Sequence, residues 1–224
     1  MGTIINVGAI IIGGLIGLIF RDRFPERITQ TALQVMGIFT ILVGIQMGLQ
    51  GREPIFILVS LAGGAILGEI IRIEDRLDNF GKWIEKQLKV TQGSPAKGFI
   101  YASLVFAVGS MAIVGSVADG VRGDHSILVT KSMMDGIISI PFAAGMGPGA
   151  LGSAVTILVY QGSLTLLARE LQSFFSPEVI TELTAVGGVL VVGIGINILG
   201  LQKIKVANFL PALAVIIALT LLWR

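Results

Sequence analysis

Two charged residues, Lys131 and Asp135, interrupt a long apolar stretch in the segment TKSMMDG, residues 130–136. They are the only Lys, Arg, Asp or Glu residues between Ser126 and Gly145. Side chains four positions apart lie on one face of a helix, so these two charges can pair. An isolated Lys or Asp at the centre of a membrane helix costs about 2.5–3.5 kcal/mol. The spacing therefore predicts either a site for a solute or ion, or an ion pair that joins helices.

The two charges differ in predicted depth if this helix begins near Ser126. At about 1.5 Å per residue, Lys131 lies about 7–8 Å and Asp135 about 13 Å from that end. The long Lys131 side chain can extend to the membrane surface, whereas the Asp135 side chain cannot. Ser132 and Ser139 extend the same polar face. Asp135 is therefore the leading candidate for contact with a solute or for coupling to protons or cations, with a purely structural pair as the alternative.

Four further polar residues are candidates to line such a site. The motif VGS occurs twice in the preceding apolar run and supplies Ser110 and Ser116. Small residues allow helices to pack closely, and Gly-Ser segments that unwind can offer backbone carbonyl groups to ions; both interpretations stay open. Asn6 and Asn197 lie near opposite ends of the chain. They either flank a central site or form ordinary hydrogen bonds between helices.

Other kinds of chemistry have less support in the sequence. Asp119, Asp124 and His125 fall in the loop predicted between the fourth and fifth apolar runs. They could bind a divalent cation, and the alternative is an ordinary solvated loop. Because the chain contains no cysteine, disulfides, cysteine-bound zinc and thiol catalysis are excluded. The motifs HExxH and GxSxG are also absent. We therefore expect neither an enzyme nor a resident cofactor.

The composition indicates the class of protein that carries these residues. The 224 residues are 54% hydrophobic and 13% charged, whereas soluble domains carry about 25% charged residues. The 30 glycines also suit membrane helices. The net charge of +2 does not favour nucleic acid as a partner. We therefore predict a single integral membrane domain over residues 1–224, with the lipid bilayer and a small solute or ion as its partners.

Eight continuous apolar runs are long enough, at about 18–20 residues, to cross a bilayer core of about 30 Å as helices. Their continuity distinguishes them from the alternating strands of a membrane β-barrel. Pro141 and the sequence GMGPG, residues 145–149, should bend or end the fifth run. The eight predicted spans are 3–20, 29–49, 55–71, 98–117, 126–145, 150–168, 184–201 and 206–223.

Basic residues are distributed unequally between the two sides of the membrane that eight spans define. Because Lys and Arg concentrate in cytoplasmic loops, we place the richer set in the cytoplasm and both termini outside the cell inner membrane. The richer set comprises Arg21, Arg23, Arg27, Arg72, Arg76, Lys82, Lys86, Lys89, Lys97, Lys203 and Lys205. The poorer set comprises Arg52, Arg122, Arg169 and Arg224.

One long connection separates the third and fourth spans. Its apolar residues recur at helical spacing from Ile73 to Leu88, opposite a charged face. This pattern is typical of a helix that lies on the membrane surface, and a packed cytosolic linker helix is the alternative. We therefore predict a cytoplasmic amphipathic linker helix over residues 73–97.

The chain also contains an internal repeat. PERITQTALQVMGIFTILVGIQMGLQ, residues 25–50, aligns with PEVITELTAVGGVLVVGIGINILGLQ, residues 177–202. The opening Pro-Glu, the following Ile-Thr and the closing Gly-Leu-Gln match without a gap. Upstream, after a small shift, LIFRD at 18–22 aligns with LLARE at 166–170. Equivalent helices are five spans apart, so the two copies have opposite orientation, as in many secondary transporters.

These patterns define the predicted fold. We expect an all-α membrane protein of about eight transmembrane helices, in which an inverted repeat of two three-helix units surrounds a central helix pair. The repeat units contain spans 1–3 and spans 6–8. The predicted boundaries are 1–72 for the first repeat unit, 98–148 for the central pair and 149–224 for the second repeat unit.

The central pair carries a resemblance to a known family. The segments VGSMAIVGS (108–116), DG…GDHSILVTKSMMDG (119–136) and FAAGMG (142–147) are its most specific features, and GAIIIGGLIGL (8–18) extends it to the start of the chain. In these segments the sequence resembles a bacterial integral membrane family catalogued as domain of unknown function 554. The resemblance covers the whole chain. It implies a membrane transport protein, without indicating a substrate.

The leading hypothesis is a transporter of a small polar or charged solute, with protons or cations as candidate coupling ions. An ion or solute channel shares the same sequence features and is the alternative. A membrane scaffold or signalling protein without transport, and an intramembrane enzyme, are alternatives of other classes. Pairs of adjacent glycines at 13–14, 63–64 and 187–188 would allow close packing between copies, so we also expect a homo-oligomer.

Overall fold

The computed structural model describes residues 1–23, 26–77, 79, 95–171 and 174–223. Within these ranges the chain folds into helices joined by short turns, and no β-strand occurs. The long apolar runs account for this architecture. The helices are α1 (Gly2–Arg23), α2 (Glu26–Gly48), α3 (Pro54–Ile71), α4 (Pro95–Ala107), α5 (Ser110–Arg122), α6 (Ser126–Met146), α7 (Gly149–Leu166), α8 (Ala168–Leu171), α9 (Pro177–Ile198) and α10 (Pro211–Leu222), with a 3₁₀ turn at Val206–Phe209 before α10.

Among the described helices, six are long and apolar enough to cross a membrane: α1, α2, α3, α6, α7 and α9. Helices α4 and α5 pass this test together, with a bend of 61° at the break between them, and counting them as one span gives up to 7. Val206–Leu222 is a shorter apolar segment. The prediction of an all-helical membrane protein is therefore confirmed. The predicted fourth and eighth spans correspond to the broken pair and the short segment, so eight unbroken full-length spans are not observed.

The predicted start of the seventh span lies too far along the chain. Helix α9 begins at Pro177 instead of at residue 184. The Ser176 hydroxyl accepts a hydrogen bond from the Val179 amide at 3.4 Å and caps the first turn. Proline is favoured at the first position of a helix. The first turn of α9 is therefore helical, although its polar residues are not part of the apolar run from which the span was predicted.

The described residues group into two compact units. The first unit contains those within 1–36, 80–107 and 111–173, and the second contains those within 37–79, 108–110 and 174–224. Each unit therefore combines helices from both predicted repeat units. The first unit includes α1 and α7, and the second includes α3, α9 and α10.

In the first unit, α1 and α6 run parallel and in close contact. Gly2 lies against Leu128 near the start of both helices, and Gly13 lies against Gly136 further along. A Cβ atom at Gly13 would lie 2.0 Å from the Gly136 carbonyl oxygen. The two backbones can approach this closely because neither residue has a side chain at the crossing.

Helix α7 runs antiparallel to α1 and parallel to α4. The hydroxyl oxygens of Thr3 and Thr165 are 3.4 Å apart, whereas Gly14 packs against Leu151 near the start of α7. The Ser103 hydroxyl of α4 lies 2.9 Å from the Thr156 hydroxyl of α7, to which it donates. Helix α7 therefore contacts both α1 and α4 within this unit.

The break between α4 and α5 falls on the first VGS motif. Residues 108 and 109 leave the helical conformation. In the second unit, the Val108 side chain packs where a side chain at Gly187 would otherwise lie. In the first unit, Phe106 in the last turn of α4 packs edge-to-face on Phe142 of α6, with ring centroids 6.0 Å apart. The motif thus divides the predicted fourth span into two half-helices.

In the second unit, two helix pairs cross antiparallel at glycines. Gly37 and Gly44 of α2 lie against Gly195 and Gly188 of α9, respectively. The contact positions rise along α2 while they fall along α9, which defines opposite directions. Helix α3 meets the segment Val206–Leu222 in the same manner, because Gly64 lies against Ala212 and Gly68 against Asn208.

Polar contacts hold the end of α3 to the turn before α10. Glu69 accepts hydrogen bonds from Lys205 Nζ at 2.8 Å and from Asn208 Nδ2 at 2.5 Å. The hydrogen bond with Glu69 raises the pKa of Lys205 above its usual value. Arg72 ends α3 in the left-handed region, with φ 57°. Residues 73–77 are helical, and most of the predicted linker helix over 73–97 lies outside the described residues.

Candidate functional site

The predicted pair of charges is buried at the centre of α6. Lys131 is 5% exposed and Asp135 is 6% exposed. The Lys131 ammonium group forms an ion pair with Asp135 Oδ2. Both charges would be costly if isolated in an apolar interior, and each one offsets the cost of the other. Lys131 is therefore a buried partner of Asp135, and the predicted extension of its side chain to the membrane surface does not occur.

A side chain of a second helix donates a hydrogen bond to the Asp135 carboxylate. Asn6 of α1 donates a hydrogen bond from Nδ2 to Asp135 Oδ2 at 2.9 Å. The same Nδ2 donates to Gln161 Oε1 of α7 at 3.2 Å. Both amide side chains are fully buried. Three helices of the first unit thus meet at one hydrogen-bonded cluster.

The cluster continues toward the start of α1. Gln161 Nε2 donates to the Thr3 hydroxyl at 3.3 Å, and Thr3 in turn lies 3.4 Å from the Thr165 hydroxyl. Thr165 also donates to the Gln161 carbonyl at 2.9 Å. We call these side chains the polar track: Lys131, Asp135, Asn6, Gln161, Thr3 and Thr165.

The orientation of the Asn6 amide follows from this network. Its Nδ2 atom faces two acceptor oxygens, on Asp135 and Gln161. A flipped amide would place an oxygen against both acceptors, so the orientation is determined by its partners. Asn6 Oδ1 is buried and has no hydrogen-bond partner among the described residues. An acceptor without a donor at this depth costs about 1–3 kcal/mol.

An aromatic side chain lies beside the charged end of the polar track. The Lys131 ammonium nitrogen lies 6.0 Å from the centroid of the Phe106 ring. This distance is at the limit of a cation–π contact, worth about 0.5–2 kcal/mol. Phe106 is fully buried, as is Phe142 beside it. The ammonium group is therefore bounded by a carboxylate and by an aromatic ring.

A family model described as "Protein of unknown function (DUF554)" matches residues 1–221. The chain belongs to the DUF554 family. It is 37% identical over 218 residues to "Uncharacterized membrane protein YdfK" of Bacillus subtilis (strain 168), across 96% of this chain and 93% of that protein. It is 27% identical over 229 residues to "Uncharacterized protein YqgA" of Escherichia coli (strain K12), across 100% and 97%. No solved structure matches it. The predicted family is confirmed, and the printed name of the Bacillus subtilis relative describes it as a membrane protein.

Two predicted site serines of this DUF554 chain are satisfied by their own helix. Ser132 donates to the Leu128 carbonyl at 2.6 Å, and Ser139 donates to the Gly136 carbonyl at 2.8 Å. Both side chains are buried on α6. Such bonds place the hydroxyls on the predicted face without tying them to Asp135.

The serines of the two VGS motifs differ from each other. Ser110 is half-buried and begins α5 directly after the break. Ser116 is fully buried, and its hydroxyl has no hydrogen-bond partner among the described residues. Neither serine belongs to the polar track.

Asn197 is engaged in its own loop within the second unit. Its Nδ2 donates to the Ile204 carbonyl at 2.7 Å, and its Oδ1 accepts from the Ile204 amide at 2.7 Å. These two bonds close the turn between α9 and the segment that begins at Val206. Asn6 thus joins the polar track, whereas Asn197 holds a connection.

The three candidate metal ligands occupy different environments. Asp119 lies in α5 and not in the predicted loop, because this helix continues to Arg122. The helix ends before Gly123, where φ is +70°. Asp119 is buried and accepts from the Gly2 amide at 3.0 Å, while His125 Nδ1 lies 2.6 Å from its other oxygen. Over the part of the chain that the structure describes, no group of three or more His, Cys, Asp or Glu residues could hold a metal ion.

Asp124 makes local contacts at the start of α6. It is exposed and accepts hydrogen bonds from the Ser126 hydroxyl at 2.7 Å and the Ser126 amide at 3.0 Å. These two bonds lower the pKa of Asp124 below its usual value. Asp124 therefore supports the first turn of α6.

The sequence contained a signal for the part of the polar track that the predictions omitted. Gln161 and Thr165 lie four positions apart within the predicted span 150–168, the same spacing that drew attention to Lys131 and Asp135. Thr3 and Phe106 carry no such signal, because a threonine near a helix start and a phenylalanine in an apolar run are ordinary in membrane helices.

The second unit contains another buried carboxylate that sequence analysis did not identify. Glu182 of α9 is 3% exposed. Its Oε1 accepts from the Arg52 amide at 2.8 Å and from the Glu53 amide at 3.3 Å, directly before α3. A carboxylate is favoured at the positive end of a helix, so Glu182 joins α9 to the start of α3.

Proposed function

We propose that this protein is a bacterial inner-membrane transporter of a small polar or charged solute, with its site at the Lys131–Asp135 pair. Protons or cations are the candidate coupling ions. The observation that carries this proposal is the polar track, which runs through α1, α6 and α7, three helices with long apolar runs. Buried ionisable residues in membrane helices commonly mark solute or ion pathways.

The extent of the polar track favours a pathway over a simple helix clamp. A clamp needs one pair of partners, whereas the track joins six side chains on α1, α6 and α7, within about one turn of each helix. It also leaves one oxygen of Asn6 buried without a donor among the described residues. A purely structural network gains stability when all its members are satisfied, so an unsatisfied acceptor suits a site that exchanges partners.

Burial of the track favours a carrier over an open channel. Asn6, Gln161, Lys131 and Asp135 are each exposed by 6% or less. A conducting pore must be in contact with water along its length, whereas a carrier passes through a state in which its site is closed to both sides. We therefore infer a closed state in which Lys131 neutralises Asp135.

The directions of the helices support the proposed inverted repeat. The repeat pairs α1 with α7, α2 with α9, and α3 with the segment Val206–Leu222. Within the two units, each of these pairs crosses antiparallel. Helices related by an inverted repeat must cross the membrane in opposite directions, and these are the directions found.

The direction of α6 supports the proposed topology. Helices α1 and α6 run parallel, which requires an odd number of crossings between them. Helices α2 and α3 supply two, so α4 and α5 together would supply one. This assignment agrees with the distribution of Lys and Arg, which places both termini outside the cytoplasm.

Flux measurements on purified protein in proteoliposomes would test the proposal. The radiolabelled probes are glycine, acetate, methylammonium and rubidium, each with and without an imposed pH gradient. We expect uptake of at least one probe above that of protein-free liposomes. Asp135→Asn should reduce it by about tenfold or more, because the buried carboxylate is lost.

Glu182→Gln is the matched control, since it neutralises a buried carboxylate outside the polar track. It should retain uptake if the variant reconstitutes as well as the unmodified protein. Uptake that is unaffected by Asp135→Asn, or no uptake of any probe, would favour a membrane scaffold instead of a transporter.

A further inference from the structure

The charges of the polar track restrict the class of solute that can bind there. Lys131 and Asp135 sum to zero, and the buried charged side chains described in the first unit are these two and Asp119. Asp119 is already engaged by the Gly2 amide and by His125. From the helices packed against α6, the groups that reach the pair are the Asn6 amide and the Phe106 ring, which are uncharged. Among the described residues of this unit, no further buried charge is therefore available to neutralise a charged solute.

A singly charged solute would leave a net charge in this interior. If a cation bound Asp135 and displaced Lys131, the ammonium group of Lys131 would be buried without a counter-ion. If an anion bound Lys131, the Asp135 carboxylate would be left in the same condition. A buried charge that has lost its partner strongly destabilises the state that contains it.

We propose that the site binds a small zwitterion, an amino-acid-like solute that carries one ammonium group and one carboxylate. This inference rests on the proposed function and specifies its substrate class. The zwitterion inserts between Asp135 and Lys131, so that its ammonium group contacts Asp135 and its carboxylate contacts Lys131. One buried ion pair is exchanged for two, and the net charge remains zero.

The acceptors of the site match an ammonium group. Both hydrogen bonds that Asp135 accepts from described residues end on Oδ2, which leaves the lone pairs of Oδ1 for another donor. Asn6 Oδ1, on the amide that donates to this carboxylate, is buried and accepts no hydrogen bond from the residues that the structure describes. An ammonium group offers three donors and no acceptor, which is the chemistry that acceptor oxygens of this kind require.

Lys131 itself shows how an ammonium group fits this place. Its Nζ atom pairs with Asp135 and lies 6.0 Å from the Phe106 ring. In the closed state, Lys131 is therefore the cationic partner of the Asp135 carboxylate, and in the bound state the ammonium group of the solute takes over this role. Binding moves this tethered ammonium group from the carboxylate of the protein to the carboxylate of the solute.

Equilibrium binding to the full-length protein in detergent tests this inference separately from transport. The probes are glycine, alanine and β-alanine, together with acetate and methylammonium as the two halves of a zwitterion. We expect each half to bind about tenfold or more weakly than the best zwitterion, because each forms one ion pair and leaves a charge unpaired. Equal or tighter binding of either half, or no binding of any zwitterion, would overturn the inference.

Single substitutions should change the preference of the site in a charge-dependent direction. Lys131→Gln leaves Asp135 as the sole charge of the pair, so methylammonium should become preferred over glycine. Asp135→Asn leaves Lys131, so acetate should become preferred. Glu182→Gln should leave the preference of the unmodified protein unchanged. A structural pair would show none of these reversals, and if a variant does not fold, the comparison of probes on the unmodified protein still decides.

The two proposals can fail independently of each other. Binding of a zwitterion without flux in proteoliposomes would support the site and refute the transporter. Flux that depends on Asp135 but is confined to acetate, methylammonium or rubidium would support the transporter and refute the zwitterion.

Discussion

Removing one partner of the Lys131–Asp135 pair should destabilise the protein much more than removing both. In Lys131→Met, the Asp135 carboxylate stays buried and retains, among described donors, the Asn6 amide at 2.9 Å. In Asp135→Leu, the Lys131 ammonium group stays buried with the Phe106 ring at 6.0 Å as its remaining described contact. Loss of one partner from a buried pair costs about 3–5 kcal/mol.

The two single substitutions should differ in size. In Lys131→Met the Asp135 carboxylate keeps the Asn6 hydrogen bond, and a hydrogen bond to a charged group is worth about 1.5–3 kcal/mol. The loss of stability in Lys131→Met should therefore lie near 3 kcal/mol, at about the lower end of the range for a broken buried pair. In Asp135→Leu the Lys131 ammonium group keeps the cation–π contact, which contributes less, about 0.5–2 kcal/mol. The loss of stability in Asp135→Leu should therefore lie near 5 kcal/mol, at about the upper end of the range for a broken buried pair. In Lys131→Met/Asp135→Leu no charge is left, and the cost should fall to about 1–2 kcal/mol, since apolar replacement of a buried pair is often nearly neutral.

Reversible unfolding in mixed micelles of sodium dodecyl sulfate and a mild detergent would measure these free energies as a double-mutant cycle. Single effects of about 3 and 5 kcal/mol and a double effect of about 1–2 kcal/mol correspond to a coupling free energy of about 6–7 kcal/mol between the two positions. If the effects of the single substitutions simply add in the double variant, the charges do not depend on each other, and the reasoning behind the candidate site is refuted.

Three further predictions concern the packing and capping of the helices. Gly13→Ala should destabilise the protein by about 1–3 kcal/mol in the same unfolding assay, because the new Cβ would lie 2.0 Å from a carbonyl oxygen of α6; Gly8→Ala, where nothing lies within 4 Å, should not, and equal effects would contradict the observed crossing. Glu182→Ala should cost about 1–3 kcal/mol, since two backbone amides lose the acceptor of their partly buried hydrogen bonds, whereas Glu182→Gln should cost less; the reverse order would contradict the capping role. The folded-state pKa of Asp124 is lowered, so Asp124 should contribute stability that is present above its unfolded pKa and lost as pH falls through the folded pKa. Thermal unfolding should therefore show a lower melting temperature for Asp124→Asn than for the unmodified protein near neutral pH and equal melting temperatures in acid. A difference in melting temperature that is constant at all pH values would contradict this.

The sequence predicted individual helices more accurately than their continuity. The predicted spans 126–145 and 55–71 correspond closely to Ser126–Met146 and Pro54–Ile71, because a long apolar run bounded by turn residues has one stable conformation in a membrane. The predicted span 98–117 is instead divided at residues 108 and 109. Hydropathy does not distinguish a straight helix from two half-helices, since both bury the same side chains.

The candidate site was predicted in part, and the limit has a physical cause. Lys131 and Asp135 could be paired from their spacing, because i and i+4 lie on one face of any helix. The contacts of Asn6 with Asp135 and Gln161 span 129 and 155 residues of sequence, respectively. No local rule relates such positions, so Asn197 was as reasonable a partner as Asn6 until the packing of α1 was known.

The sequence by itself indicated a helical membrane protein that resembles the DUF554 family, and it placed Lys131 and Asp135 on one face of a helix, where they can pair. Composition, apolar run length and spacing along one helix are local properties, and they suffice for the helical membrane class and for the shared face, whereas the family rests on the resemblance of particular segments. The tertiary structure decided that Lys131 is buried, that Asn6, Gln161 and Phe106 surround the pair, and that Asp119 caps α1. These outcomes depend on close approaches such as that of Gly13 to Gly136, because the side chains that meet across two helices are set by their crossing and not by either sequence alone.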